Sequence, residues 1–361
     1  MTASHDNHAS PAEAEGALAR RATIADVARL AGVSVGTVSA YLNGGASIRR
    51  GNREAIEQAV ASLGYQRNLQ AAAIKGAHTR VVGLMVPEFN EFHAGVLERL
   101  SRLVRRGGRA LLSYCHDADP ATIAEALDFF SEQRVDAVIM TGVDGQYDHI
   151  DRLKASGTPI ILYDVDMPGV AADRVFVENR KAARTLTRYL TDLGHRRVAV
   201  LAGNLAESTQ RERLAGYEQA LHEARLPLEP RYVIDRAWRA TGGHDAMEHL
   251  LELDPRPTAV FATNYPIAVG ALNRLKERGL IVPNDLSFVS FDDVPLFYLH
   301  DAGITAAAQP VAAIAEAIAD LLEQRLRAPE ESRTRTVVLD CNIILRGSAQ
   351  RHIAEVTAAA S

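Results

Sequence analysis

The 361-residue sequence contains two cysteines, one tryptophan and no long apolar run. Cys115 and Cys341 do not form a CxxC pair, which argues against a disulfide framework and against a thiolate metal site. No segment approaches the roughly 18 apolar residues of a membrane span. The first 19 residues also lack the basic and apolar regions of a secretory signal. These features predict a cytoplasmic protein with no membrane contact and no metal site.

The sequence motifs of several large enzyme classes are also missing. There is no GxSxG, no HExxH, no P-loop and no GxGxxG after a predicted strand. We therefore expect neither catalytic residues nor a cofactor. Two classes remain for comparison, a DNA-binding regulator and a solute-binding protein.

Charge is distributed unevenly along the chain. The net charge is −5, yet residues 20–80 hold nine Lys or Arg and only three Asp or Glu. The remainder of the chain is acidic. A basic head on an acidic body is typical of a phosphate-binding module attached to a separate soluble domain. A solute-binding protein would need an export signal and would not need this basic head, so it remains the less favoured alternative.

The basic segment has the pattern of a helix-turn-helix. In TIADVARLAGVS, Thr23 and Asp26 have the spacing of a capping box, and Gly32 permits a tight turn. Ser34 is a favourable N-cap for a second helix. A third amphipathic helix is predicted from Arg53 to Leu63.

From residue 81 onward, apolar runs alternate with helical patterns. This alternation predicts βαβ units and parallel sheets. Two such series, the second beginning with RVFVEN at residue 174, predict two similar lobes. Ligands of open α/β folds bind beyond the carboxyl ends of the strands, so the expected site is a cleft between the lobes. The longer helices are predicted near residues 95–106, 121–132, 182–193, 211–224, 243–253 and 268–278.

The order of these parts resembles one family. TIADVARLAGVSVGTVSAYLNG, then NREAIEQAVASLGY, a short helix and a large domain are similar to the LacI-type (lactose/purine-repressor) transcription regulators. RRVAVLAG, RLAGYEQAL, TAVFATN, AVGALNRLKERGLIVPNDLSFVSFDD and ILRGS extend the resemblance to about residue 348. It implies an α/β protein with a helix-turn-helix head and a two-lobed, periplasmic-binding-protein-like effector domain. The predicted domains are a tail (1–20), the head (21–66), a hinge helix and linker (67–79), the effector domain (80–348) and a second tail (349–361).

The resemblance also implies which residues contact DNA. The second helix would enter the major groove, with Val35, Gly36 and Ala40 at the base-reading positions, although none can donate a bidentate hydrogen bond. Ile74 of the hinge would enter the minor groove as an apolar wedge. The full predicted DNA-contact set is Thr23, Ser34, Val35, Gly36, Thr37, Ser39, Ala40, Asn43, Arg49, Arg53, Asn68 and Ile74.

Ligand contacts of the family carry over to the effector domain. Asp164, Asn264 and Asp292 would accept hydrogen bonds from hydroxyls, Arg213 would donate a fixed fork, and Trp238 would supply a flat apolar wall. This chemistry suits a sugar, a polyol or a nucleoside-like effector. The full predicted effector-contact set is Phe92, His93, Asp164, Thr209, Arg213, Trp238, Asn264 and Asp292.

The sequence therefore predicts a repressor that binds near-palindromic operator DNA as a homodimer and is switched by a small effector. A dimer is favoured because QRHIAEVTAAAS at the end is short and lacks heptads. Tyr265 stands where the family usually has an acid, and it places a bulky phenol near the expected cleft.

Overall fold

The computed structural model describes residues 22–42, 48–66, 79–143, 145–235, 239–328 and 333–352. The predictions for Asn43, Asn68, Ile74 and Trp238 lie outside these ranges. The chain divides into two compact units, Met1–Ala77 and His78–Ser361. Within the described ranges, every helix is too short or too polar to span a membrane.

In the first unit, the described residues form three helices: α1 (Ile24–Ala31), α2 (Val35–Leu42) and α3 (Arg50–Leu63). Both hydrogen bonds of the predicted capping box are present at Thr23, and Gly32 ends α1 with a left-handed φ of 66°. Ser34 Oγ accepts a hydrogen bond from the Thr37 N–H at 3.1 Å, as an N-cap does. The three helices enclose a small core of Val27, Ala28, Val38, Ile56 and Ala59.

The second unit contains two six-stranded sheets, one in each lobe. The first sheet is wholly parallel, in the order β11-β5-β4-β3-β1-β2. Helices α4 (Glu91–Arg106), α5 (Pro120–Glu132), α6 (Tyr147–Ala155) and α11 (Val311–Arg327) pack on it. Its strands are β1 (Val81–Val86), β2 (Ala110–Cys115), β3 (Ala137–Thr141), β4 (Ile160–Tyr163), β5 (Asp173–Val177) and β11 (Thr336–Leu339).

The second sheet has the equivalent order, β12-β10-β9-β8-β6-β7, and only β12 runs antiparallel to its neighbour. Its strands are β6 (Val198–Leu201), β7 (Val233–Ile234), β8 (Ala259–Ala262), β9 (Ser287–Phe291), β10 (Thr305–Ala308) and β12 (Asn342–Ile344). The helices of this lobe are α7 (Asn179–Asp192), α8 (Ser208–Glu223), α9 (Arg239–Glu252) and α10 (Tyr265–Glu277). Short 3₁₀ turns lie at Pro230–Tyr232 and Pro295–Tyr298.

The assignment of RVFVEN to the second lobe was wrong. Its strand, β5, pairs with β4 and β11 in the first sheet. The chain then crosses between the sheets at residue 178, at 309–310 and at 340–341, so α11 and β11 return to the first lobe. An apolar run predicts a buried strand, but its pairing partners are distant in sequence, and the run cannot specify the sheet.

Several helices begin three or four residues earlier than predicted. The starts of α3, α4, α7, α8, α9 and α10 all show this difference. Polar residues dominate the first turns of α3, α7 and α8, so apolar periodicity marks only the later part of these helices. Asn90 and Asn264 instead define two starts, because each side chain accepts a hydrogen bond from the backbone N–H three residues on.

Helices α9 and α10 approach each other so closely that two glycines are required. A Cβ on Gly270 would overlap the carbonyl oxygen of Ala240, and a Cβ on Gly243 would overlap that of Ile267. Neither obstacle is a flexible side chain. The backbone contact therefore sets the spacing of these two helices.

We predict that Gly270→Ala lowers the free energy of unfolding by about 2–3 kcal/mol, because α9 and α10 must separate to admit the methyl group. Urea unfolding of the full chain measures the change. Gly51→Ala is the control, since nothing lies within 4 Å of a Cβ there and alanine favours a helix. An unfolding midpoint for Gly270→Ala equal to that of the wild type would contradict the prediction.

Candidate functional site

A cavity of about 360 Å³ lies at the carboxyl ends of the strands of both lobes. Residues that follow β1, β2, β3 and β4 form one wall, and residues that follow β6, β8 and β9 form the other. Parallel strands bring their carboxyl ends to the same edge of a sheet, which is why separate loops meet here. Seven of the eight predicted effector contacts line this cavity: Phe92, His93, Asp164, Thr209, Arg213, Asn264 and Asp292.

Arg213 of α8 is only 3% exposed, and its guanidinium is held on several sides. Its Nε donates to Asn179 Oδ1 and its Nη1 donates to the Thr263 carbonyl, both at 2.7 Å. The guanidinium also stacks on the Phe291 ring, 3.6 Å from the ring centroid. These contacts fix the plane of the guanidinium group, and with it the direction of its N–H donors, before any ligand binds.

Asp164 and Asp292 occupy equivalent positions in the two lobes. Each follows the last residue of a strand in the left-handed region, with φ values of 62° and 66°. Asp292 accepts hydrogen bonds from Gln309 Nε2 at 2.8 Å and from the Tyr265 N–H at 3.3 Å. Burial raises the pKa of Asp164 to about 6, against the opposing effect of the Arg213 charge.

Asn264 and Tyr265 begin α10 and have different partners. Asn264 Oδ1 accepts from the Ile267 N–H at 2.9 Å, so this oxygen already caps the helix. The phenolic oxygen of Tyr265 accepts from the Glu91 N–H at 3.3 Å, which links α10 of one lobe to α4 of the other. A second link joins the Asp166 N–H to Ser208 Oγ at 2.8 Å. The two lobes are therefore closed on each other.

The start of α4 contributes aromatic surface to the first lobe. His93 is 4% exposed, and its Nδ1 lies 3.0 Å from the Tyr163 hydroxyl. Burial lowers the pKa of His93 to about 3, so the ring is neutral at physiological pH. Phe92 packs beside it, with 5.0 Å between the ring centroids. His93 and Phe92 form a neutral, largely apolar part of the wall.

Glu88, His116 and Gln309 also line the cleft, although sequence reasoning did not identify them. Glu88 and His116 follow the ends of β1 and β2, and Gln309 lies on a crossover between the lobes. The rule that ligands lie beyond strand ends could have indicated the first two. Gln309 also directly follows a strand, β10, but the sequence analysis predicted no strand there, so the rule could not be applied to it.

Glu207 is the last residue before α8 and lies in the same wall. Its side chain does not cap the helix. Burial, and after it the Asp164 carboxylate, raise the pKa of Glu207 to about 7 against the opposing effect of the Arg213 charge. The two carboxyl groups therefore share one electrostatic environment.

In the head, α2 exposes the residues predicted to face DNA. Ser34, Val35, Gly36 and Ala40 are exposed, with Val35 at 39%, whereas Thr37 and Ser39 are half-buried. Thr23 is exposed but its hydroxyl also bonds to the Asp26 carboxylate at 2.6 Å. The guanidinium groups of Arg49 and Arg53 are exposed and form no ion pair within the part of the chain that the structure describes. Both are thus available to phosphates.

A closed two-lobed α/β domain with a polar cleft, in one chain with a helix-turn-helix, defines a ligand-responsive DNA-binding regulator. Residues 23–68 match the family model described as bacterial regulatory proteins, lacI family. Residues 187–349 match the one described as periplasmic binding protein-like domain. The chain belongs to the LacI family.

Individual relatives agree with this assignment. The chain is 31% identical to the ribose operon repressor of Haemophilus influenzae, across 91% of this chain and 98% of that protein. A transcriptional regulator CelR–cellobiose complex is 28% identical, with a TM-score of 0.69 across 91% of this chain and 100% of that one. The lac repressor dimer bound to operator and the anti-inducer ONPF, at 24% identity, shows the fold alone, with a TM-score of 0.79 across 92% of this chain and 100% of that one.

These matches confirm the predicted family and fold class. They also confirm that the chain is a transcriptional regulator and not an enzyme, because its relatives are repressors. The match of the head to the lacI family rules out the alternative of a solute-binding protein without a regulatory role.

We predict that Glu207→Gln raises the melting temperature by roughly 2–4 °C at pH 8 and has little effect at pH 4.5. The folded-state pKa of Glu207 lies above its ordinary value of 4.5, so folding binds protons and wild-type stability falls as pH rises from about 4.5 to about 7. Glutamine removes the ionised group and with it this loss. Thermal unfolding at both pH values measures the difference.

Glu248→Gln is the matched control with the opposite sign. Hydrogen bonds from Arg274 and Arg278 lower the pKa of Glu248 to about 2, so its ionised form stabilises the fold at pH 8. This variant should therefore melt below the wild type. A Glu207→Gln variant that also melts lower at pH 8 would show that the Glu207 carboxylate has a stabilising partner.

Proposed function

We propose that the chain is a dimeric repressor whose affinity for operator DNA changes when a polyhydroxylated effector binds between the lobes of its second unit. The cleft is the observation that carries the proposal. Arg213 offers a fixed donor, Asp164 and Asp292 offer acceptors, and Phe92 adds an apolar wall. A sugar, polyol or nucleoside-like ring has the alternating hydroxyls and carbon faces that such a wall would match.

Two similar proteins are named for ligands of the same class. One relative is a ribose operon repressor, and one solved structure is a complex with cellobiose. We infer that Phe92, His93, Asp164, Thr209, Arg213, Asn264 and Asp292, with Trp238, contact the effector. Tyr265 and Ser208 link the two lobes in a closed state, which the ligand would bind in preference to an open one. This difference in affinity would couple effector binding in the cleft to the affinity for DNA.

For the head, we propose that α2 lies in the major groove. Val35 and Ala40 would contact thymine methyl groups, and Gly36 would permit close approach of the backbone. Phosphate contacts would come from Thr23, Ser34, Thr37, Ser39, Asn43, Arg49, Arg53 and Asn68. Because direct readout by such small side chains is weak, Ile74 would supply specificity by kinking a central base step.

The domain boundaries are part of the proposal: head 21–66, hinge 67–79 and effector domain 80–348, with tails at 1–20 and 349–361. The division of the chain into compact units after Ala77 supports the hinge position. A homodimer is supported by an apolar surface beside the turn Pro295–Tyr298, where Leu296, Tyr298 and Leu299 are 51%, 65% and 80% exposed. Such a regulator would act in the cytoplasm.

Selection of random duplex DNA by the full chain, at near-physiological salt, tests the DNA-binding proposal. We expect enrichment of a near-palindrome with a fixed central step, because two heads related by two-fold symmetry read two half-sites. Ile74→Gly should weaken binding to that sequence at least ~10-fold, a loss of about 1.4 kcal/mol, with little effect on nonspecific DNA. Ile74→Leu is the control, since it keeps an apolar wedge. Equal losses on both DNAs would exclude the wedge.

Fluorescence anisotropy of the selected DNA, with and without a metabolite extract, tests the effector site. Arg213→Gln should abolish the response to the extract while DNA affinity stays within about twofold, because the lost fork lies in the cleft and not in the head. Arg188→Gln is the control, since Arg188 is an exposed arginine of α7 that pairs with Asp192. A wild-type response from Arg213→Gln would remove Arg213 from the effector site.

A further inference from the structure

The wall of the cleft contains more negative than positive charge. Among the described residues, two arginines line it, Arg213 and Arg239. In the same part of the chain, the cleft is lined by six carboxylic acid side chains: Glu88, Asp117, Asp164, Asp166, Glu207 and Asp292. Two histidines, His93 and His116, do not alter the balance, because burial lowers their pKa values to about 3 and about 4. The cleft is therefore acidic at neutral pH.

Protein partners already compensate several of these carboxylates. Asp166 forms an ion pair with Arg174 outside the cleft, at 2.8 Å. Asp117 lies 3.9 Å from Arg239. Asp292 accepts hydrogen bonds from Gln309 and Tyr265, and Glu88 accepts one from Asn90 Nδ2 at 3.0 Å. For these four groups, the fold itself supplies a donor.

Asp164 and Glu207 differ from the other four. In the described part of the chain, neither carboxylate accepts a hydrogen bond, and both are partly buried in the wall. Their charges act on each other, and Arg213 is the cation that acts on both. Arg213 is itself already bonded to Asn179 and Thr263. Two partly desolvated carboxylates thus lack a partner that the fold could have provided.

A metal ion does not fit this pair. Within the described ranges, no three His, Cys, Asp or Glu side chains lie close enough together to hold one. The cavity of about 360 Å³ is also far larger than a single ion requires. An organic cation on a ring-sized ligand would fill the space and supply N–H donors to both carboxylates.

We propose that the effector is an aminated polyhydroxylated ring, an amino sugar in its simplest form, whose protonated nitrogen lies against Glu207 and Asp164. This inference rests on the proposed effector site and specifies its ligand. Hydroxyls of the same ring would bond to Asp292 and to the free edge of Arg213. Anionic rings, such as sugar phosphates and sugar acids, would be rejected, because they would bring a further negative charge to the same wall.

The test uses purified full-length protein at pH 7.5 and measures binding by titration calorimetry and by the shift in melting temperature. The probes are glucosamine, galactosamine and mannosamine. Each is compared with its parent hexose, its N-acetyl derivative and its 6-phosphate. We expect at least one amine to bind ~10-fold or more tightly than its parent hexose, and acetylation to remove that advantage because it removes the charge.

Two variants test whether the preference for the amine depends on the Glu207 carboxylate. Glu207→Gln should reduce the affinity for the amine ~10-fold or more while changing that for the parent hexose less than about twofold. Glu218→Gln removes the same charge from an exposed position on α8 and should bind like the wild type. Equal loss for amine and hexose would mean that Glu207 supports the wall without recognising charge, and it would overturn the assignment.

Binding of a parent hexose or of a 6-phosphate as tight as that of its amine would overturn the proposal, as would a panel in which no amine binds. These outcomes remain distinct from failure of the proposed function, because selection of operator DNA with and without the metabolite extract does not depend on the identity of the effector. A protein that selects a palindrome but binds no amine refutes only the ligand assignment. A protein that selects no DNA either with or without the extract refutes the DNA-binding proposal itself.

Discussion

A guanidinium cannot be buried without partners, and those of Arg213 come from three separate parts of the chain. Asn179 begins α7 directly after the first crossover between the lobes, Thr263 follows β8, and Phe291 ends β9. Each partner must be in place for the charge to be tolerated. The position of α8, the ends of two strands and one crossover are thus fixed together, and Asp292 next to Phe291 is fixed with them.

The same buried cation sets the electrostatics of the cleft. It opposes the rise in the pKa of Asp164 and of Glu207 that burial causes, yet it does not cancel that rise. The nearby His93 remains neutral because burial lowers its pKa to about 3. A ligand that supplies hydrogen-bond donors to this wall would therefore lower the free energy of the closed state. Such preferential binding to one state is the physical basis for coupling the ligand to the conformation.

The surface of the head that is predicted to face DNA consists of small side chains. Its core consists of a few apolar residues, and Val35, Gly36 and Ala40 leave the outer face of α2 nearly featureless. Such a face can approach a groove closely but distinguishes base edges poorly. Affinity would then come mainly from cations such as Arg49 and Arg53, and specificity from deformation of the DNA.

Helix caps, periodicity and family motifs are local signals, and they are enough to predict the helix-turn-helix, the parallel α/β class, the family and seven residues that line the cleft. Three features follow only from the three-dimensional fold: β5 belongs to the first sheet, Gln309 lines the cleft, and Asp164 and Glu207 accept no hydrogen bond from the described residues. The reason is physical. Strand pairing, crossover paths and the burial of a charge depend on residues far apart in sequence, and no local pattern encodes which of them will meet.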